Sequence, residues 1–226
     1  MHSKVIPAAI VFLVGVGTAA GHPQSPSPPA AQGSAPSVAV PQGNGVPVIT
    51  DGIFTPGEWD DAQRVAVADG VALFIKEHRG VVFIGVRGQG TNGIGPSELS
   101  LAVPEGPIVK LHVSFALYEA PLSQAGPEAK PRMGFTADWY ANELRRDEAE
   151  SARLQKEGRS PIEVMQATSY PSDGIEFAIR RSKLPGQAWR LRLWASAFVD
   201  GKPGMVTYPP AAAERSTDGW LEVQFK

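Results

Sequence analysis

The chain contains no cysteine. That excludes a disulfide framework, thiolate metal ligands and a thiol nucleophile. Histidine is scarce, with four in 226 residues, and none sits in a His-x-His or His-Glu-x-x-His arrangement, which argues against zinc. There is no Gly-x-Ser-x-Gly elbow, no phosphate loop and no carboxylate pair singled out by spacing, so the sequence points away from an independent enzyme. A basic excess is also missing. The formal charge is −2, which gives no electrostatic footprint for a nucleic acid partner.

Long apolar runs are absent except near the start. Lys4 precedes the run Val5 to Val16, and small residues follow at Thr18-Ala19-Ala20-Gly21. A cation, a short apolar middle and small residues predict a cleaved signal peptide over residues 1–21 and an exported product, periplasmic or extracellular. The run is shorter than the ~20 residues a bilayer needs, so no membrane span is expected after cleavage. Residues 22–47 hold seven prolines among Ser, Ala, Gln and Gly, a composition that predicts a disordered, semi-stiff tether. Residues 48–226 are left for one domain. Without disulfides, its stability must come from its core.

What is present in that domain is alternation. Val109, Leu111, Val113, Phe115 and Leu117 share one side of a strand, and Lys110, His112 and Ser114 the other. Ile175, Phe177 and Ile179 oppose Glu176, Ala178 and Arg180. Trp189, Leu191, Leu193, Ala195 and Ala197 oppose Arg190, Arg192, Trp194, Ser196 and Phe198. A period of two with one wet face predicts antiparallel strands. Glu77-His78-Arg79-Gly80, Pro104-Glu105-Gly106, Pro171-Ser172-Asp173-Gly174 and Asp200-Gly201-Lys202-Pro203-Gly204 read as turns between strands, the third joining a strand near Ile162 to Ala167 to the one that starts at Ile175. The expected class is an all-β antiparallel β-sandwich. One segment departs from it: Asp138 to Glu157 is densely charged and helix-forming, with Asp138 as N-cap and Gly158 as stop, and predicts one inserted surface helix.

The stretch Asp51-Gly52-Ile53-Phe54-Thr55-Pro56-Gly57-Glu58-Trp59 through Ala62, the hairpin Val71 to Arg87, and Gly174-Ile175-Glu176-Phe177-Ala178-Ile179-Arg180 with Ser182, Leu184 and Pro185 resemble family-9-like carbohydrate-binding modules and the related DOMON domains. The resemblance covers both ends of the domain and matches poorly from about Gly88 to Ala167. It implies a β-sandwich binding module for a saccharide or, among DOMON relatives, haem. Family members often carry carboxylates for calcium after the second hairpin strand, whereas Gly88 to Gly95 here has none.

Among candidate site residues, Trp59 and Trp189 read as core anchors, while Trp220 alternates with polar neighbours, as a residue does that is either exposed or, on a terminal strand, buried under a loop. Trp194 falls on the polar side of its strand with Arg190, Arg192 and Ser196, and Glu176 and Arg180 are expected on the neighbouring strand. A flat ring beside guanidinium forks and a carboxylate suits a polyhydroxylated ligand, and these six residues form the predicted saccharide site. The haem reading would use His112 with Met133, Met165 or Met205. A third reading is an adaptor that binds a protein through a sheet edge or the charged helix. The sequence leaves the oligomeric state open.

Overall fold

A computed structural model describes residues 35–90, 93–104, 106–122, 130–199 and 202–226. The expected signal peptide and the first part of the tether lie outside the described residues. In chain order the first strands are β1 (Ser37–Val40), β2 (Gln63–Ala68), β3 (Val71–His78), β4 (Val81–Arg87), β5 (Ile94–Ala102), β6 (Ile108–Val113) and β7 (Leu117–Leu122). There follow β8 (Arg132–Met133), β9 (Trp139–Ala141), the helices α1 (Glu148–Lys156) and α2 (Pro161–Thr168), β10 (Gly174–Arg180), β11 (Ala188–Val199), β12 (Lys202–Tyr208) and β13 (Leu221–Phe225).

These strands form two sheets. The larger runs β1-β13-β11-β5-β6-β7-β8, with β12 paired to the second half of β11. The smaller runs β2-β3-β4-β10-β9. Among the described residues, the named strands pair antiparallel except β1 with β13, and an isolated bridge between Gln42 and Glu77 is also parallel. The inner rows close on one another as alternation requires. Leu73, Ile84 and Phe177 from the smaller sheet and Leu99, Leu111, Trp189, Leu191 and Leu193 from the larger are all fully buried in one cluster. The all-β sandwich with a helical insertion is thus the observed architecture.

Four local expectations need correction. Ser37–Val40, inside the stretch read as tether, pairs with β13, and Val40 is buried. A short alternating run between Pro36 and Pro41 is enough to add an edge strand, because Pro is tolerated at strand ends. Asp138 is not a helix cap. Trp139–Ala141 pairs with β10 as an edge strand, and the cap of α1 is Asp147, whose carboxylate accepts from the Glu150 amide. The strand expected near Ile162 to Ala167 is α2, begun by a reciprocal capping box: the Ser160 amide donates to Glu163 and the Glu163 amide to Ser160 Oγ, with Pro161 in the first turn. The strand expected to continue to Leu117 stops at Val113, turns through Ser114 to Ala116, and leaves Phe115 exposed rather than facing the core.

The Asp51 to Trp59 segment lies over the outer face of the smaller sheet and is gathered by buried polar groups. Glu176 projects outward from β10 yet is fully buried. Its Oε2 accepts from the Asp51 and Gly52 amides at 3.0 and 2.8 Å, and its Oε1 accepts from Trp59 Nε1 at 3.0 Å. Two successive amides reach one oxygen because Gly52 takes the left-handed conformation, φ 86°, where an added Cβ would also meet Asn142. Glu58, also buried, binds the Ile49 and Thr55 amides at 3.1 Å each. Lys76 rises from β3 to donate to the Glu58 and Val46 carbonyls and to Asp61 Oδ1 at 2.8 Å. Between them Phe54 stacks on Trp59 at 5.3 Å, both against Phe74. Gly85 of β4 lies directly beneath: a Cβ there would come within 2.8 Å of Phe54 and 2.9 Å of Trp59.

Two outcomes are predicted. Gly85→Ala overpacks this small cluster and should cost about 1–3 kcal/mol, read by chemical denaturation. Burial pushes the Glu176 carboxyl up to about 7 against its three donors, with the charge of Glu58 adding to the rise. A carboxyl still protonated in the fold where the unfolded chain has already ionised favours the fold in mild acid, and that advantage is lost as pH rises through 7. Glu176→Gln, neutral throughout, should lack this dependence. Wild-type stability minus variant stability should therefore fall between about pH 5 and pH 8, by up to about 3 kcal/mol. A difference that stays level would contradict the assignment.

Candidate functional site

The larger sheet turns its own outer face to solvent, and register lines side chains into rows across it. Trp194 on β11 stands opposite Glu98 on β5, Glu98 opposite His112 on β6, and His112 opposite Tyr118 on β7. Thr207 continues the row beyond Trp194, and Met133 beyond Tyr118. Directly opposed residues share a face, so the row is a consequence of pairing rather than of any one strand. Glu98 is its centre. Its Oε1 accepts from Tyr118 OH at 3.2 Å and contacts His112 Nδ1 at 3.2 Å, and its Oε2 lies 3.7 Å from Lys110 Nζ. The His112 and Tyr118 rings stack at 4.2 Å, nearly parallel at 10°. The hydrogen bond from His112, aided by the charge of Lys110, holds the Glu98 carboxyl below the usual range. Glu98 is therefore an ionised acceptor, and its side chain remains 18% exposed.

The next rows toward the start of β11 are covered. The segment from Pro209 to Gly219 folds across them: Ala212 packs with Ala102, Ile108, Leu122 and Trp220 in a separate small core. Arg192 donates through Nε to the Ala212 carbonyl at 3.1 Å, and Lys110 reaches Glu214 at 3.2 Å. Trp220, for which exposure and burial under a loop were both open, is fully buried under this segment and donates to the Ala213 carbonyl at 2.7 Å. Arg190 is paired with Glu222 at 2.7 Å. Ser100, between Arg192 and Lys110, is buried, and among the described residues its hydroxyl has no hydrogen-bond partner.

Of the six residues predicted for the site, four are brought together. Arg190, Arg192, Trp194 and Ser196 share the outer face of the larger sheet. Glu176 and Arg180 do not join them. They lie on β10, whose neighbours are β4 and β9, on the opposite outer face of the sandwich. Glu176 is sealed under the Asp51–Trp59 segment, and Arg180 donates to the Ala137 carbonyl. Sequence separation cannot reveal which sheet a strand enters. Glu98 and Tyr118 were missed, and His112 was singled out only for haem, because their convergence depends on long-range pairing. A signal existed in the polar residues at alternate positions of β5 and β6. For the haem reading, His112 has its Nδ1 against Glu98 and its ring on Tyr118. Met133 and Met205 are exposed to either side, on β8 and β12.

Ser196 also borders a second concavity, a cleft of about 390 Å³ at the end of the sandwich. Its walls come from the start of β5, the end of β11, Pro203, and the two connections on either side of the helices. Tyr170, Phe115 and Phe198 stand at it, 53%, 38% and 36% exposed. The Arg145 guanidinium lies over the Tyr170 ring at 5.8 Å.

No protein-family model matches the chain, and no curated protein matches it. In structure the chain is similar to the crystal structure of a "putative carbohydrate-binding protein" from Bacteroides uniformis. The two share 11% identity at a TM-score of 0.49, over 85% of this chain and all of that one.

Proposed function

We propose that this is an exported, non-catalytic module that binds a saccharide on the outer face of the larger sheet. The observation that carries the reading is the row Trp194–Glu98–His112–Tyr118, whose four members share one outer face and are all partly exposed. A sugar ring presents an apolar face and a rim of hydroxyls. Trp194, partly exposed, offers the flat surface, and Glu98, held ionised, offers an acceptor with lone pairs beyond those used by His112 and Tyr118. Arg192, fixed through Nε by Ala212, places a guanidinium at the row's border. Export is supported by the lysine-led apolar segment at residues 1–21, and the proline-rich stretch after it would give the module reach.

The placement of the carboxyls favours binding over hydrolysis. A general acid needs a raised pKa and access to the substrate. Glu98, in the open row, has its pKa lowered, whereas Glu176, with its pKa raised, is fully buried.

Trp194→Ala should weaken glycan binding by about 1–3 kcal/mol, the scale of one stacking contact and its buried area, with little change in melting temperature. A glycan array followed by calorimetry on the same variant checks both. Unchanged affinity with a melting temperature several degrees lower would make Trp194 a packing residue and remove the site.

A further inference from the structure

We infer that the end cleft is a second saccharide site, selective for a neutral sugar ring; this rests on the saccharide reading of the row beside it. Three observations support it. The cleft's volume, about 390 Å³, falls in the range of small-molecule sites, roughly 300–1,000 Å³. Tyr170, Phe115 and Phe198 are all exposed there, although aromatic side chains otherwise dominate buried surfaces, and three around one concavity form a larger apolar feature than scattered surface residues do. The charged residues at its walls are of both signs: the carboxylates of Asp51 and Glu143 and the guanidinium of Arg145.

That mixture of charge defines the ligand class. An anion drawn to Arg145 is opposed by Asp51 and Glu143, and a cation drawn to those carboxylates is opposed by Arg145, so the attraction for an ion of either sign is offset. A neutral polyhydroxylated ring has both donors and acceptors to match them, and an apolar face for the aromatic rings. Arg145 is the cation placed for this. Among the described residues no carboxylate pairs with it, and its guanidinium lies over Tyr170. The neighbouring Arg146 pairs with Glu148 at 2.9 Å and covers Phe115 at 4.7 Å.

The two sites adjoin at Ser196, a lining residue of the cleft that lies two residues from Trp194 on the same face of β11. Two residues of strand span roughly 7 Å, so a single oligosaccharide can occupy both and gain from the effective concentration of its second contact.

The test uses the full chain and three variants: Trp194→Ala, the pair Tyr170→Ala with Phe198→Ala, and all three changes together. Each is probed on an array of neutral, uronate-bearing and sulfated glycans, with melting temperature as the control for folding. The cleft residues changed are exposed, so the fold should survive. Binding should be confined to neutral glycans. The Trp194 variant and the cleft pair should each lose roughly ten-fold in affinity, and the triple variant should not bind. A cleft pair that binds like wild type, beside a silent Trp194 variant, overturns the second site and leaves the row standing. A Trp194 variant that binds like wild type, beside a silent cleft pair, removes the row and leaves the cleft as the site. Preference for acidic glycans overturns the neutral class, and a wild-type chain that binds no glycan overturns both readings.

Discussion

The Glu176 carboxyl organises one side of this sandwich. It projects from the outer face of a sheet, where a charged residue normally meets water, yet it is fully buried. Burying it is costly unless its lone pairs are used, and the amides of Asp51 and Gly52 together with the Trp59 indole use them. Those donors all come from one loop, more than a hundred residues away in sequence. The loop is therefore pinned where Phe54 and Trp59 cover Phe74 and Gly85. Lys76 and Glu58 fix the same segment from its other side. The turn at Asp51-Gly52, the bare backbone at Gly85 and the aromatic pair are parts of a single arrangement.

Function follows from what that arrangement leaves free. A sandwich has two outer faces, and here the smaller sheet gives its face to the entry loop. The larger sheet gives up only part of its own, because Pro209 to Gly219 covers the rows of Arg190 and Arg192 and stops short of Trp194. The partly exposed row is set by strand register and kept polar by Glu98 with its three neighbours. The cleft at the end of β11 adjoins it, so both candidate binding surfaces lie at one corner of the molecule.

Much of the fold was legible in local pattern. Alternation placed β10 and β11 and identified their buried sides, and Gly- or Pro-containing turns marked the β3–β4, β5–β6 and β11–β12 hairpins. Trp59 and Trp189 were recognisable as buried anchors. Failures occurred where local chemistry favoured one state and context another. Asp138 has the look of a cap, but Trp139 buries itself against β10, and the helix waits for Asp147. Ile162 to Ala167 has strand-like apolar content, but Ser160, Pro161 and Glu163 start a helix. Half of the candidate site was legible in the alternation of β11. The other half was not: Glu98, His112 and Tyr118 reach Trp194 only through pairings between distant segments, and Glu176 and Arg180 belong to the other sheet.

Trp194 is partly exposed, whereas Trp59, Trp139, Trp189 and Trp220 are at most 6% exposed. The five indole N–H signals in a nitrogen–proton correlation spectrum therefore report separately on the open row and on the core. Titrating the chain with an array-selected neutral oligosaccharide should shift the Trp194 indole signal and leave the other four in place. A spectrum in which Trp194 stays fixed while the sugar binds, or in which the buried indoles move instead, would contradict a saccharide site on this face.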